Sequence, residues 1–258
     1  MITSIKTFII AAFLITVNLT VSAQEDAKKI YTRATDQMLV ENMQIQMELE
    51  ITDKKGRVKE KEFEVLVAKF GDISKTKMSW EKPVEAKGTT VILTEIPNET
   101  GLIEVFTPSN GKVRKLKATS DNLALVGSEL SLTNMPAQSP DEMVFKLLDP
   151  EVVDGKSCYQ IEVKAKNATD AAKGEMLVEK QTYRILQVRV YDGSGDLSSL
   201  VKLSNYQPID GVSKKVQAMR IVTEDFTSHK QTEMRVLKIS SRTDFKEEDF
   251  QLPLERDI

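Results

Sequence analysis

The chain has 258 residues, 40% of them hydrophobic and 6% aromatic, with a formal net charge of −3 at pH 7. That share of apolar residues supplies a globular core and falls short of a membrane protein's composition. The acidic balance argues against nucleic acid as a partner, because a nucleic-acid-binding face carries a basic excess. A single cysteine, Cys158, excludes an internal disulfide and any cysteine-cluster zinc site.

Residues 1–23 read as a secretory signal. Lys6 gives a weak basic start, Phe8 to Val17 an apolar core, and Val21-Ser22-Ala23 a small-residue cleavage site before Gln24. The apolar run is broken by Thr16 and Asn18, and a membrane span needs roughly 20 apolar residues. No cysteine lies near the cleavage point, so a lipid anchor is not expected. The expected mature protein is 24–258, a single domain of about 235 residues.

From Glu25 to Val40 the spacing predicts an amphipathic helix, with Ala27, Ile30, Tyr31, Ala34 and Met38 on one stripe. The next segment alternates strictly: Met43, Ile45, Met47, Leu49 and Ile51 are separated by Gln44, Gln46, Glu48 and Glu50. This is a strand with one wet face. Lys54-Lys55-Gly56 turns into a second strand, where Phe63, Val65 and Val67 share a face. Strands follow at Lys75–Trp80 and Thr89–Ile96.

The middle of the chain, Leu102 to Leu132, begins with a short apolar strand, Leu102 to Phe106. It turns at Pro108-Ser109-Asn110-Gly111 and returns as the basic strand Lys112-Val113-Arg114-Lys115-Leu116-Lys117. A second helix is predicted from Ser139-Pro140-Asp141-Glu142, with Met143, Val144, Leu147 and Leu148 as its apolar stripe and Pro150 as its end. Strands then succeed one another: Cys158–Lys164, Glu175–Glu179, Ile185–Tyr191, Leu197–Tyr206, Val216–Thr223 and Thr232–Ser240. Such a run with hairpin-length connections predicts a mainly β (α+β) chain, a single curved antiparallel sheet accompanied by two amphipathic helices.

The inventory of catalytic groups is thin. His229, the single histidine, lies in a polar turn, and no G-x-S-x-G elbow, glycine-rich phosphate loop or calcium-loop spacing occurs. No enzyme, cofactor or metal is expected, although a paired-carboxylate hydrolase is left open because 39 acidic residues always permit some pair. Ten methionines, with Met38, Met43, Met47 and Met78 near the first helix and strands, suit either an adaptable apolar site or an ordinary core. The basic strand suits an anionic contact or a solvated edge.

Several features together carry a family resemblance. They are Phe106, Pro108, Lys112-Val113-Arg114-Lys115, a polar connection from Ala118, and Gly127-Ser128 with Leu130-Ser131. Around them stand Trp80-Glu81-Lys82-Pro83 with Gly88, Asp154-Gly155-Lys156-Ser157-Cys158-Tyr159 and Asp192-Gly193-Ser194-Gly195. The chain resembles the outer-membrane lipoprotein-sorting proteins of Gram-negative bacteria, relatives of the LolA and LolB carriers. The resemblance implies an incomplete β-barrel with both helices in its concave face, and a monomeric periplasmic carrier. Its partners would be a lipid or acylated lipoprotein and an envelope membrane protein.

The expected cavity lining is Ile30, Tyr31 and Met38 from the first helix, and Met43, Ile45, Met47 and Leu49 from the first strand. Phe63, Val65 and Trp80 would join them, with Met143 and Leu147 from the second helix, and Arg114 would meet a partner or anion. One departure is plain. LolA carriers tie their helices shut with an arginine on an early strand, whereas Met43–Ile51 contains none. The alternative expectation is an envelope sensor or protein-interaction module of the same fold, resembling the RseB-type regulators.

Overall fold

The computed structural model describes residues 26–38, 40–119, 140–166 and 172–253. The expected signal segment and the Gly127-Ser128 step lie outside the described residues. Residues 26–36 form helix α1. Six strands follow: β1 (Met43–Thr52), β2 (Val58–Phe70), β3 (Ile73–Lys82), β4 (Thr90–Glu95), β5 (Leu102–Thr107) and β6 (Lys112–Lys117). After the undescribed stretch come β7 (Met143–Val153), β8 (Lys156–Ala165), β9 (Lys173–Glu179) and β10 (Ile185–Tyr191). The last are β11 (Leu197–Pro208), β12 (Val216–Asp225) and β13 (Lys230–Ser241).

All belong to one 13-stranded sheet in the order β6-β5-β4-β3-β2-β1-β13-β12-β11-β10-β9-β8-β7. Among the described residues β6 and β7 are its edges, so the sheet is left open, as an incomplete barrel requires. By contacts the chain divides into two compact units, one of Met1–Asp36 with Pro136–Leu200 and one of Gln37–Met135 with Val201–Ile258.

The predicted second helix is a strand. Only Pro140–Glu142 make a 3-10 turn, after which β7 alternates Met143 and Phe145, both buried, with exposed Val144 and Lys146. Paired apolar residues at Met143-Val144 and Leu147-Leu148 satisfy a helical stripe and a strand equally over so short a run. Pro150 does not end the element, because β7 is an edge strand whose pairing slips between Leu148 and Glu151. A proline is tolerated at such a bulge, where no backbone N–H is needed.

In the first unit, α1 lays Ala27, Ile30, Tyr31 and Ala34, spaced three and four apart, into the core. Tyr31 packs on Phe145 with ring centroids 4.8 Å apart. Phe145 is opposite Val163, and Leu147 is opposite Ile161, which is opposite Met176. The other face of these strands carries a polar cluster centred on the buried Glu175, beside the buried Leu177 and Cys158. Its carboxylate accepts bonds from Lys173 Nζ at 2.7 Å, Tyr191 Oη at 3.0 Å and Gln160 Nε2 at 3.1 Å. Burial pushes this carboxyl up, but the donors outweigh it and hold it below the ordinary carboxylate range.

In the second unit the chain returns after β13 and runs over β2 to β5. Phe250 meets Phe70 and Phe245 edge-on at 5.5 and 5.6 Å, and Leu252 packs with Ile92 and Phe106. Lys77 Nζ donates to the Asp249 carbonyl at 2.8 Å, and Lys75 pairs with Glu247. By register Phe70, Lys75, Lys77, Ile92 and Phe106 share one face of the sheet, so this segment closes that face.

Two outcomes follow. F250A should cost about 3–5 kcal/mol in urea unfolding followed by Trp80 fluorescence, whereas V84A, at 87% exposure, should change little. Because the folded pKa of Glu175 lies below its unfolded value, its contribution is complete above the unfolded pKa. It fades as pH falls through the folded one. Acid unfolding read by tyrosine near-ultraviolet dichroism should therefore be steeper in the wild type than in E175Q.

Candidate functional site

Strand β1 is paired on both sides and carries the site. Directly opposed residues of antiparallel strands point to the same face, so the registers trace rows across the second unit. One row runs Ile239, Ile45, Val65, Met78, Val91, Val105, Arg114 from β13 to β6. A second runs Met43, Val67, Thr76, Leu93, Ile103, Leu116. A third joins Val236, Met47, Phe63 and Trp80, where Phe63 and Trp80 rings lie 5.9 Å apart.

Met47, Leu49, Phe63 and Val65 are buried in one cluster with Ile51 and Met234. Around it on the same face Met43, Ile45, Val67, Met78, Trp80, Leu93 and Val105 are half-buried, whereas Val91, Ile103, Val236 and Ile239 are buried. The opposite face is a charged ladder. Lys82 pairs with Glu62 at 2.7 Å, Arg235 with Glu48 at 3.4 Å, and Arg220 with Glu233 at 2.7 Å. Cross-strand pairs of this kind contribute a few tenths of a kcal/mol to about 1 kcal/mol each. Their larger effect is to fix which face stays wet.

The predicted lining residues therefore separate into two groups. Met43, Ile45, Met47, Leu49, Phe63, Val65 and Trp80 share one face of the second unit. Ile30, Tyr31, Met143 and Leu147 belong to the first unit, the latter two on a strand, and Ile30, Tyr31 and Met143 are core. Met38 follows α1 and is half-buried. Arg114 is exposed at the β6 end of the first row.

Lys61 escaped the sequence reading. The pairing Leu49 to Lys61 puts this half-buried lysine on the apolar face, with Lys59 two residues away opposite Ile51. Burial, and then the charge of Lys59, lower its pKa. The signal was present in the sequence as a basic residue in phase with Phe63 and Val65.

Helix α1 has ties within the first unit. Lys28 Nζ donates to Asp141 Oδ1 at 2.7 Å, and the Arg33 guanidinium lies 3.7 Å from the centroid of the Tyr183 ring. Tyr183 occupies the left-handed backbone region at φ 58, in the turn between β9 and β10. No helix among the described residues is long and apolar enough to cross a membrane.

A protein-family model described as "-like: Uncharacterized protein" matches residues 72–253. The chain belongs to that family. Its fold is LolA-like. An outer membrane lipoprotein-sorting protein domain from Vibrio parahaemolyticus superposes with a TM-score of 0.73 at 18% identity, covering 88% of this chain and 97% of that one. A DUF1329 family protein from Desulfovibrio piger gives 0.75 at 19%, covering 89% and 97%. A LolA superfamily protein from Nitrosomonas europaea gives 0.61 at 16%, covering 87% and 97%. Comparison with curated proteins found no match. Identities this low carry the fold, and function has to be argued from the site.

Lys61 supplies a pH test. Its folded pKa lies below the ordinary lysine value, so the charged form is disfavoured in the folded state and stability rises as pH climbs through that window. K61M should be more stable than wild type at pH 7, by less than about 1 kcal/mol because the amine is partly solvated. In urea unfolding the gap should narrow toward pH 10.

Proposed function

We propose that the protein is a periplasmic carrier that binds an acyl chain of a lipoprotein, or of another lipid, on the apolar face of the second unit. The observation that carries this reading is the set of half-buried apolar residues Met43, Ile45, Val67, Met78, Trp80, Leu93 and Val105 on one face of the sheet, beside the buried Val91 and Ile103. An ordinary core closes such a face throughout; here half-buried apolar side chains stand beside the buried clusters. Each methylene removed from water contributes about 0.8 kcal/mol, so a long chain binds without any covalent step. The leader 1–23 would export the chain, and an envelope membrane protein would receive or supply the cargo. The LolA-like fold supports the same reading.

A second reading, a protein-interaction module of RseB type, draws support from α1. Lys28, Tyr31 and Arg33 tie this helix by an ion pair, a ring contact and a cation–π contact, and a fixed helix suits a constant docking surface better than a moving lid.

The test separates them. Protein purified gently after export should yield a near-stoichiometric lipid on solvent extraction and mass spectrometry, and added acyl chains carrying bromine should quench Trp80. M78D should weaken that quenching at least tenfold, while E48Q, on the wet face, should leave it unchanged. A clean extract with no quenching sinks the carrier and leaves the interaction module.

A further inference from the structure

The four cations of β6 are not equivalent. Lys115 and Lys117 project to the face opposite the apolar rows, and Lys115 pairs with Glu104 at 2.6 Å. Lys112 and Arg114 project to the apolar face, where the residues opposite them are Thr107 and Val105. Both are exposed, and Leu116 beside them is half-buried. An arginine whose cross-strand neighbour is valine, at the end of an apolar row, has a hydrocarbon surface on one side and water on the other. Its planar fork matches a carboxylate.

We infer that the second unit takes a long-chain fatty acid in one orientation, its carboxylate held by Arg114 and Lys112 and its chain laid along the half-buried Val105, Leu93, Met78 and Val67 toward Met43. This rests on the carrier reading and adds the class of ligand and its polarity. The row from β6 to β1 crosses five strand spacings, about 24 Å, which accommodates one extended acyl chain. Charge complementarity fixes the end at which the head sits. Cations on the same face at the other end, Lys59 and Lys61, offer the competing placement.

The experiment compares dibrominated stearic acid with the corresponding dibrominated alcohol, reading quenching of Trp80 in the full mature chain. Wild type should bind the acid at least tenfold tighter than the alcohol. K112Q/R114Q, altered at exposed positions and checked for folding by circular dichroism, should bind both alike, with the alcohol's affinity unchanged. Equal binding of acid and alcohol by wild type overturns the inference and leaves the carrier standing. A preference that survives in K112Q/R114Q and disappears in K61Q overturns the placement. Quenching by neither probe removes the carrier reading and this inference together. Tight binding of phosphatidylglycerol vesicles without binding of the free acid overturns the single-chain assignment.

Discussion

Strand β1 has a neighbour on each side, and its register decides which face of the second unit is apolar. Side chains alternate along a strand, so a slip of one residue would exchange Met47 and Leu49 for Glu48 and Glu50 on every contact they make. Three features oppose that slip. The buried cluster around Phe63, Val65 and Met234 rewards one register. The charged ladder on the reverse side satisfies itself only in that register. A bulge in β13 then corrects the phase: Gln46 pairs with Lys238 and Met47 with Val236, which leaves Leu237 unpaired and 46% exposed. With this extra residue Val236 and Ile239 both point to the apolar side. Without it Ile239 would face the charged ladder.

The two faces of the second unit are consequently finished in different ways. On one, the C-terminal segment supplies Phe250 and Leu252 and closes the apolar patch formed by Phe70, Ile92 and Phe106. On the other, Met47, Leu49, Phe63 and Val65 reach core burial, as do Val236, Ile239 and Val91 in the same rows, while Ile45, Met78, Trp80 and Val105 stay half-buried. The chain thus covers one apolar surface with its C-terminal segment; on the second, Ile209 packs with Val236 and Ile239, and Met78, Trp80, Leu93 and Val105 stay half-buried. That asymmetry, rather than apolar content, is what the proposed carrier function rests on. It also gives the site a rigid base, since the half-buried side chains are carried on strands paired on both sides.

The sequence made the alternating strands legible because one wet face and one dry face leave a period of two. Met43 to Ile51 is the clearest case, and the seven lining residues it predicted with Phe63, Val65 and Trp80 do share a face. The predicted second helix proves to be a strand: Met143-Val144 and Leu147-Leu148 fit either period. An edge position that tolerates Pro150 cannot be recognised from composition. Bulges were invisible for the same reason: the inserted Leu237 looks like any other strand residue until its pairing is known. In the sequence Lys61 is one charge among several, although its phase with Phe63 places it on the dry face.

The expected lid arginine on the first strand is missing, yet α1 is not loose. Arg33 stacks on Tyr183, and Lys28 reaches Asp141, so the cation that holds the helix sits on the helix itself and its partner on a turn of the same unit. This reverses the direction of the tie that the resemblance implied. A guanidinium over an aromatic face contributes about 0.5–1 kcal/mol when exposed, and an exposed ion pair no more than about 1 kcal/mol. Neither is strong enough to hold α1 alone. The burial of Ala27, Ile30, Tyr31 and Ala34 supplies the larger stabilisation, and the polar ties fix the rotation at which those residues dock. Moving this helix would therefore require uncovering an apolar stripe, a cost set by packing and not by the latch.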